Sequence, residues 1–179
     1  MFISKEKNLF ISKNKEKEKF LRFSSYGLLL FLIPIFLSHQ FLVGVIVNAL
    51  IIRATFDHSL KKVFVLCLLP SLAVFSTGLL FGGLTSFLLW ILPFIWISNF
   101  IIAFVSKKLF IGQEKNYFLS TTLGAIAKTI FLFVSVTILF VLGLVPILFL
   151  TAFGIMQLIT AESGALIIGF LKVRKSVRS

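Results

Sequence analysis

Leu37-Ser38-His39-Gln40-Phe41 is the point at which the thirty-residue run 23–52 must either continue or break. As one helix the run would measure about 45 Å at 1.5 Å per residue, against a hydrocarbon layer of about 30 Å. That is too long for one span of ordinary tilt. Its only potentially charged side chain, His39, lies between Ser38 and Gln40. The run is therefore expected to break there, giving spans near 20–37 and 41–54. Outward from that break, four more apolar runs fall near 63–80, 87–105, 117–143 and 145–171. The last two are separated only by Gly143-Leu144-Val145-Pro146, a helix stop followed by a helix start.

Charge placement tests this division independently. The segment before the first span carries seven Lys or Arg residues, the second-to-third connection three, the fourth-to-fifth connection three and the tail four. The other three connections carry none, so seventeen of the eighteen basic residues fall on one side and Lys128 is the exception. Merging the first two spans would put Arg53, Lys61 and Lys62 on the opposite side and scramble the separation. The positive-inside bias then places both termini in the cytoplasm.

Composition agrees. With 59% hydrophobic and 13% charged residues and a mean hydropathy of +1.09, the chain has too little polar surface for a soluble globule. The expected fold is an all-α integral membrane protein, a six-transmembrane-helix bundle with both termini cytoplasmic. Residues 1–22 form a basic cytoplasmic or interfacial N-terminal arm, 23–171 the six-helix membrane domain, and 172–179 a basic cytoplasmic tail. In the arm, Phe-Ile-Ser-Lys occurs at 2–5 and again at 10–13. Its apolar residues would share a helix face, so the arm either lies on anionic lipid, each lysine contributing about 1 kcal/mol near the surface, or remains a solvated tail. The net charge of +12 does not point to nucleic acid, because the basic residues abut apolar spans instead of lining a soluble face with exposed aromatics.

Polar groups at membrane depth carry the functional expectation. Lys128 lies eleven residues from Tyr117 and Glu162 ten from Lys172, about 15 Å into the layer in each case. A charged side chain at the bilayer centre costs about 2.5 to 3.5 kcal/mol on insertion scales, so such groups face a partner or a water-filled cavity. Three amides, Asn48, Asn99 and Gln157, also lie inside spans. Singly each suits interhelical hydrogen bonding; together with the two ionisable groups they suggest a site. Around Lys128 the same helix face carries Thr121, Gly124 and Ser135. Gln157 shares a face with Thr160 and Gly164, whereas Glu162 belongs with Ala165 and Gly169, about 140° away. Glu162 is therefore a possible counter-ion to Lys128 across a close helix contact, while Gln157 lines a cavity. Ala161, Ala165 and Gly169 form a small-xxx-small pattern that favours close helix approach.

Other features have plainer readings. Trp90 suits an interfacial belt, and the deeper Trp96 suits either core packing or stacking of a planar substrate. His39, Gln40, Thr85 and Ser86 could close over a site from outside, and loop polarity explains them equally well. Asp57–His58 has no further histidine or carboxylate cluster for a metal. The single Cys67 excludes an internal disulfide and cysteine-rich metal centres. No Walker loop, His-Glu-x-x-His or Gly-x-Ser-x-Gly occurs, so no enzyme, cofactor or metal is expected.

Val47-Asn48-Ala49-Leu50, Leu92-Pro93-Phe94-Ile95 with Ser98-Asn99, Ala127-Lys128-Thr129-Ile130-Phe131-Leu132 and Met156-Gln157-Leu158-Ile159-Thr160-Ala161 together resemble the substrate-binding S components of energy-coupling factor (ECF) transporters. The resemblance covers roughly 20–171. It implies a substrate-binding subunit of an ATP-driven vitamin or micronutrient uptake transporter in the cytoplasmic (plasma) membrane of a prokaryote. It also implies a transmembrane coupling subunit and two ATPase subunits as partners. Asn48, Asn99, Lys128 and Gln157 match the family's polar positions. Glu162 stands where a small or apolar residue is expected, and the first span lacks the alanine-rich face many S components use for docking. The competing expectations are a non-transporting membrane scaffold, with Lys128 and Glu162 as a structural pair, and an ion-coupled secondary carrier, for which the chain lacks an inverted repeat.

Overall fold

A computed structural model describes the backbone of residues 2–176 and the side chains of residues 14–171. Its elements are α1 (Phe2–Phe36), α2 (Gln40–Asp57), α3 (Leu60–Thr77), a 3-10 turn (Gly82–Phe87), α4 (Leu88–Lys107), a π turn (Lys108–Gly112), α5 (Tyr117–Val141), α6 (Leu148–Phe153) and α7 (Ile155–Ser176). The described residues form no strand. Among the described residues, six segments are long and apolar enough to cross a membrane: Asn14–Phe36, Gln40–Asp57, Leu60–Thr77, Gly82–Gly112, Tyr117–Val141 and Leu148–Leu171. The chain is thus a multi-pass membrane protein in its helix count and apolarity.

The long run breaks where the sequence indicates. Helix α1 ends at Phe36, and His39 is extended (φ −96°, ψ 104°) at the start of α2. In the arm the backbone is helical and continues α1 without interruption from Phe2; the side chains that would meet lipid before Asn14 lie outside the described residues, as do those of the tail from 172. One difference from expectation appears. The sixth span is not one helix. Gly154 (φ −100°, ψ −107°) separates α6 from α7, and a Cβ there would meet the Leu150 carbonyl at 2.5 Å and the Phe133 ring at 2.8 Å. The bend needs a residue without a side chain at that point.

The fifth span is capped at both ends. Asn116 accepts a 2.8 Å hydrogen bond from the Phe118 amide, satisfying one of the free donors of the first turn. At the other end Gly143 (φ +73°) lets its own N–H reach the Phe140 carbonyl while Leu144 N–H reaches Leu139. This is the paired-bond glycine stop of a Schellman motif. Pro146 then prevents the helix from resuming at once.

Helix α2 is the centre of the bundle, packing against α1, α3, α4 and α7. The most extensive interfaces are α4 with α5 and α2 with α7. Both depend on glycine: a Cβ at Gly124 would meet Ser106 Oγ at 2.7 Å, and one at Gly164 would meet the Ala49 amide nitrogen at 2.7 Å. The small-residue stripe also lies at a close contact. Ala161 and Ala165 are buried, the Tyr117 hydroxyl donates to the Ala165 carbonyl at 2.9 Å, and Gly169 lies under the Tyr117 and Phe118 rings.

The lysine-rich end of the bundle is tied by polar contacts. Lys107 Nζ donates to the Thr55 and His58 carbonyls, at 3.0 and 2.5 Å, closing the C-terminal end of α2. The Tyr26 hydroxyl donates to Asp57 Oδ2 at 2.6 Å, which also faces Arg53 Nε at 3.3 Å. His58, 6% exposed, sits edge-on to the Phe23 and Tyr26 rings. Burial holds its pKa below the ordinary 6.5; Asp57 opposes this, and Lys62, Arg22 and Lys107 reinforce it. Below pH 6.5 the unfolded chain takes up a proton that the folded chain resists, so stability falls as pH drops toward the lowered folded value. Thermal unfolding of the detergent-solubilised protein is expected to occur a few degrees lower at pH 5.5 than at pH 7.5. His58→Phe, which keeps the ring packing, is expected to reduce that difference. An unchanged pH dependence in this variant would refute the assignment.

Candidate functional site

Lys128 is 1% exposed and is among the largest fully buried side chains described. Helix α5 carries it into the bundle, where Nζ donates to Asn48 Oδ1 of α2 at 2.6 Å and to Asn99 Oδ1 of α4 at 2.7 Å. The orientation of both amides follows from their other halves. Asn48 Nδ2 donates back one turn to the Gly44 carbonyl at 2.9 Å and across to Thr160 Oγ1 of α7 at 3.3 Å. Asn99 Nδ2 faces the Cys67 carbonyl of α3 at 3.4 Å. With the amide nitrogens turned to carbonyl and hydroxyl acceptors, the amide oxygens are left for the lysine. An ammonium only donates, so two facing oxygens suit it. Four helices beyond α5 thus meet in one polar knot.

The knot forms the floor of a cavity of about 90 Å³. Gln40, at the first residue of α2, and Leu80 and Phe81, in the uncharged connection after α3, line it at the end of the bundle remote from the lysines. Val43, Val47, Val74, Ile95 and Phe153 line it between. On the α6 side Phe81, Phe149 and Phe153 pack ring against ring, with centroids 5.3 to 6.0 Å apart. Gln157 also lines the cavity. Its helix carries it there because the bend at Gly154 restarts α7, whose third and fourth amides, Gln157 and Leu158, bond the Gly154 carbonyl at 3.0 and 3.4 Å.

Four residues expected at a site, Asn48, Asn99, Lys128 and Gln157, therefore line one cavity. The other two do not join them. Trp96 does not line it; its indole N–H donates to Ser71 Oγ at 2.7 Å, and Ser71 is the lining residue. Glu162 is not the counter-ion of Lys128. Its Oε2 accepts from Thr122 Oγ1 at 3.1 Å, and the described residues place no carboxylate within ion-pair distance of Nζ. The reason is helical phase: Thr122 precedes Lys128 by six residues, which places it about 9 Å along α5 and about 120° around it.

Sequence reasoning missed Gly44 and Thr160 as a unit. A Cβ at Gly44 would lie 2.9 Å from Thr160 Cγ2, so this glycine lets α7 approach and deliver the hydroxyl to Asn48. The signal was present as a glycine four residues before the asparagine, on the same helix face. Among the described residues no group of His, Cys, Asp and Glu could hold a metal ion. No family model matches the chain, and no curated protein or solved structure is significantly similar to it.

Proposed function

We propose that this chain is a substrate-binding membrane subunit that captures a small polar anion for ATP-driven micronutrient uptake, without catalysing a reaction itself. The observation that carries this reading is the Lys128 amine, held by Asn48 and Asn99, on the floor of a cavity that reaches Gln40 and Phe81 at one end of the bundle. The positive-inside bias assigns the lysine-rich end to the cytoplasmic side, so on this reading the Gln40 end of the cavity faces outward, as uptake requires; the prokaryotic plasma membrane is what the resemblance implies. The resemblance in the segments around Asn48, Asn99, Lys128 and Gln157 supplies the partners: a transmembrane coupling subunit and two ATPase subunits. Anionic lipid is the partner proposed for the lysine-rich arm. The scaffold reading needs Lys128 and Glu162 as a structural pair; the hydrogen bond from Thr122 to Glu162 gives that carboxylate a different role.

Native mass spectrometry of the gently extracted protein is the test. A bound small molecule is expected with the native chain and is expected to be lost in Lys128→Met, a substitution that keeps an unbranched, flexible stem but removes the amine. Circular dichroism checks that the variant remains helical. A native chain that carries no small molecule, and binds none from a growth-medium extract, overturns capture.

A further inference from the structure

The chemistry of this cavity narrows what it holds, on the premise that the chain is a capture subunit. Lys128 is the only charged side chain among the lining residues, and both its described partners are neutral amides. Two of its three donors are thus engaged, leaving the third for the cavity. One uncompensated cation matches one negative charge. A phosphate dianion or a dicarboxylate would leave a second charge among valines and phenylalanines, which low-dielectric surroundings disfavour strongly.

The opposite end of the cavity is polar but uncharged. Gly44 meets Thr160, and Gly164 meets Val45, Asn48 and Ala49, so α2 and α7 run parallel and Gln157 lies beside the first turn of α2. Gln40 and Gln157 therefore stand at the same level. Neither glutamine side chain has a hydrogen-bond partner among the described residues, so four amide donors and two carbonyl oxygens are available there. Eight residues along α2 separate Gln40 from Asn48, about 12 Å at 1.5 Å per residue. Between these levels the wall is mainly apolar, formed by Val43, Val47, Val74 and Ile95; the one hydroxyl there, of Ser71, is engaged by the Trp96 indole and the Leu68 carbonyl.

We propose that the site takes a slender monocarboxylate with an apolar middle and a neutral hydrogen-bonding group at its far end. The carboxylate accepts from the free donor of Lys128, the apolar segment lies along the valine wall, and the far group meets Gln40 and Gln157. The aligned polar, apolar and cationic levels define this order of groups.

The full chain in lipid nanodiscs, titrated calorimetrically, tests the assignment with four probes: ω-hydroxyoctanoate, octanoate, octanediol and suberate. The hydroxy acid is expected to bind at least about ten-fold more tightly than octanediol, as a charge-assisted hydrogen bond implies. It is also expected to bind more tightly than octanoate, which lacks the far group, and than the dianion suberate. Lys128→Met should abolish the preference over the diol, and Gln157→Leu the preference over octanoate. Asn99→Asp offers a second route if Lys128→Met does not fold. It places a carboxylate on the amine at the cost of one 3.4 Å bond, and should exclude the carboxylate probes from a folded protein. Equal binding of acid and diol, or a preference that survives Lys128→Met or Asn99→Asp, overturns the carboxylate. Equal binding of octanoate and the hydroxy acid overturns the far-end group. If no probe binds but native mass spectrometry finds a neutral, cationic or multiply charged molecule, the monocarboxylate fails and capture stands. If no probe binds and no molecule is found, both fail.

Discussion

Asn48→Leu is expected to destabilise the bundle by about 2 kcal/mol or more, among the largest single effects at this site. The replacement is close in size but removes three bonds together: the acceptor for Lys128, the donor to Thr160 and the donor to Gly44. Hydrogen bonds between neutral side chains in membranes average only about 0.6 kcal/mol. The bond from Lys128 is charge-assisted, where about 1.5 to 3 kcal/mol is typical. The expected loss thus comes mainly from the lysine. A double-mutant cycle isolates it: in the Lys128→Met background, Asn48→Leu should cost much less, with a coupling of about 1 to 3 kcal/mol. Unfolding in denaturing detergent, monitored by circular dichroism, measures all four corners. Additive losses would mean that the amine does not depend on this amide.

Much of the polar lining of this cavity was readable from the sequence because depth is a one-dimensional property. Counting residues from the ends of the apolar runs put Asn48, Asn99, Lys128 and Gln157 inside the layer, and all four line the cavity. The break between the first two spans was legible for a similar reason: thirty residues exceed the layer, and Ser38-His39-Gln40 is the polar point within them. Charge placement then fixed the division, since Arg53, Lys61 and Lys62 would otherwise have fallen on the wrong side.

Rotational phase between helices was not legible. Periodicity shows which residues share a face on one helix, but not how that face is turned toward the next. Glu162 and Lys128 lie at similar depth in the sequence, yet Thr122, not Lys128, meets the carboxylate. Trp96 was misplaced in the same way: a single hydrogen bond to Ser71 turns its indole to the back of the cavity wall. The bend at Gly154 was hidden by composition. Glycine is common in membrane helices, and no proline marks this one; the Leu150 carbonyl and the Phe133 ring packed against it show why the side chain is absent.

Gly164→Val should be as damaging as losing the knot itself, although this glycine carries no polar group. The atoms a Cβ would meet are the Ala49 amide nitrogen at 2.7 Å and the Val45 carbonyl at 2.8 Å. Both are backbone atoms of α2, so no side-chain rotation can make room and the helices must separate. Overpacking of this kind costs about 1 to 3 kcal/mol, and valine adds two methyl groups beyond the Cβ. Separation also moves α2 against Thr160, which holds the amide of Asn48 in place. Stability and ligand capture should therefore fall together. Gly164→Ala should give the same pattern at smaller amplitude, and Gly112→Ala, with open space around its Cβ position, should change neither. Measuring unfolding and retained small molecule on the same preparations tests the link. A Gly164→Val protein of native stability would show that α2 and α7 are not held at this distance.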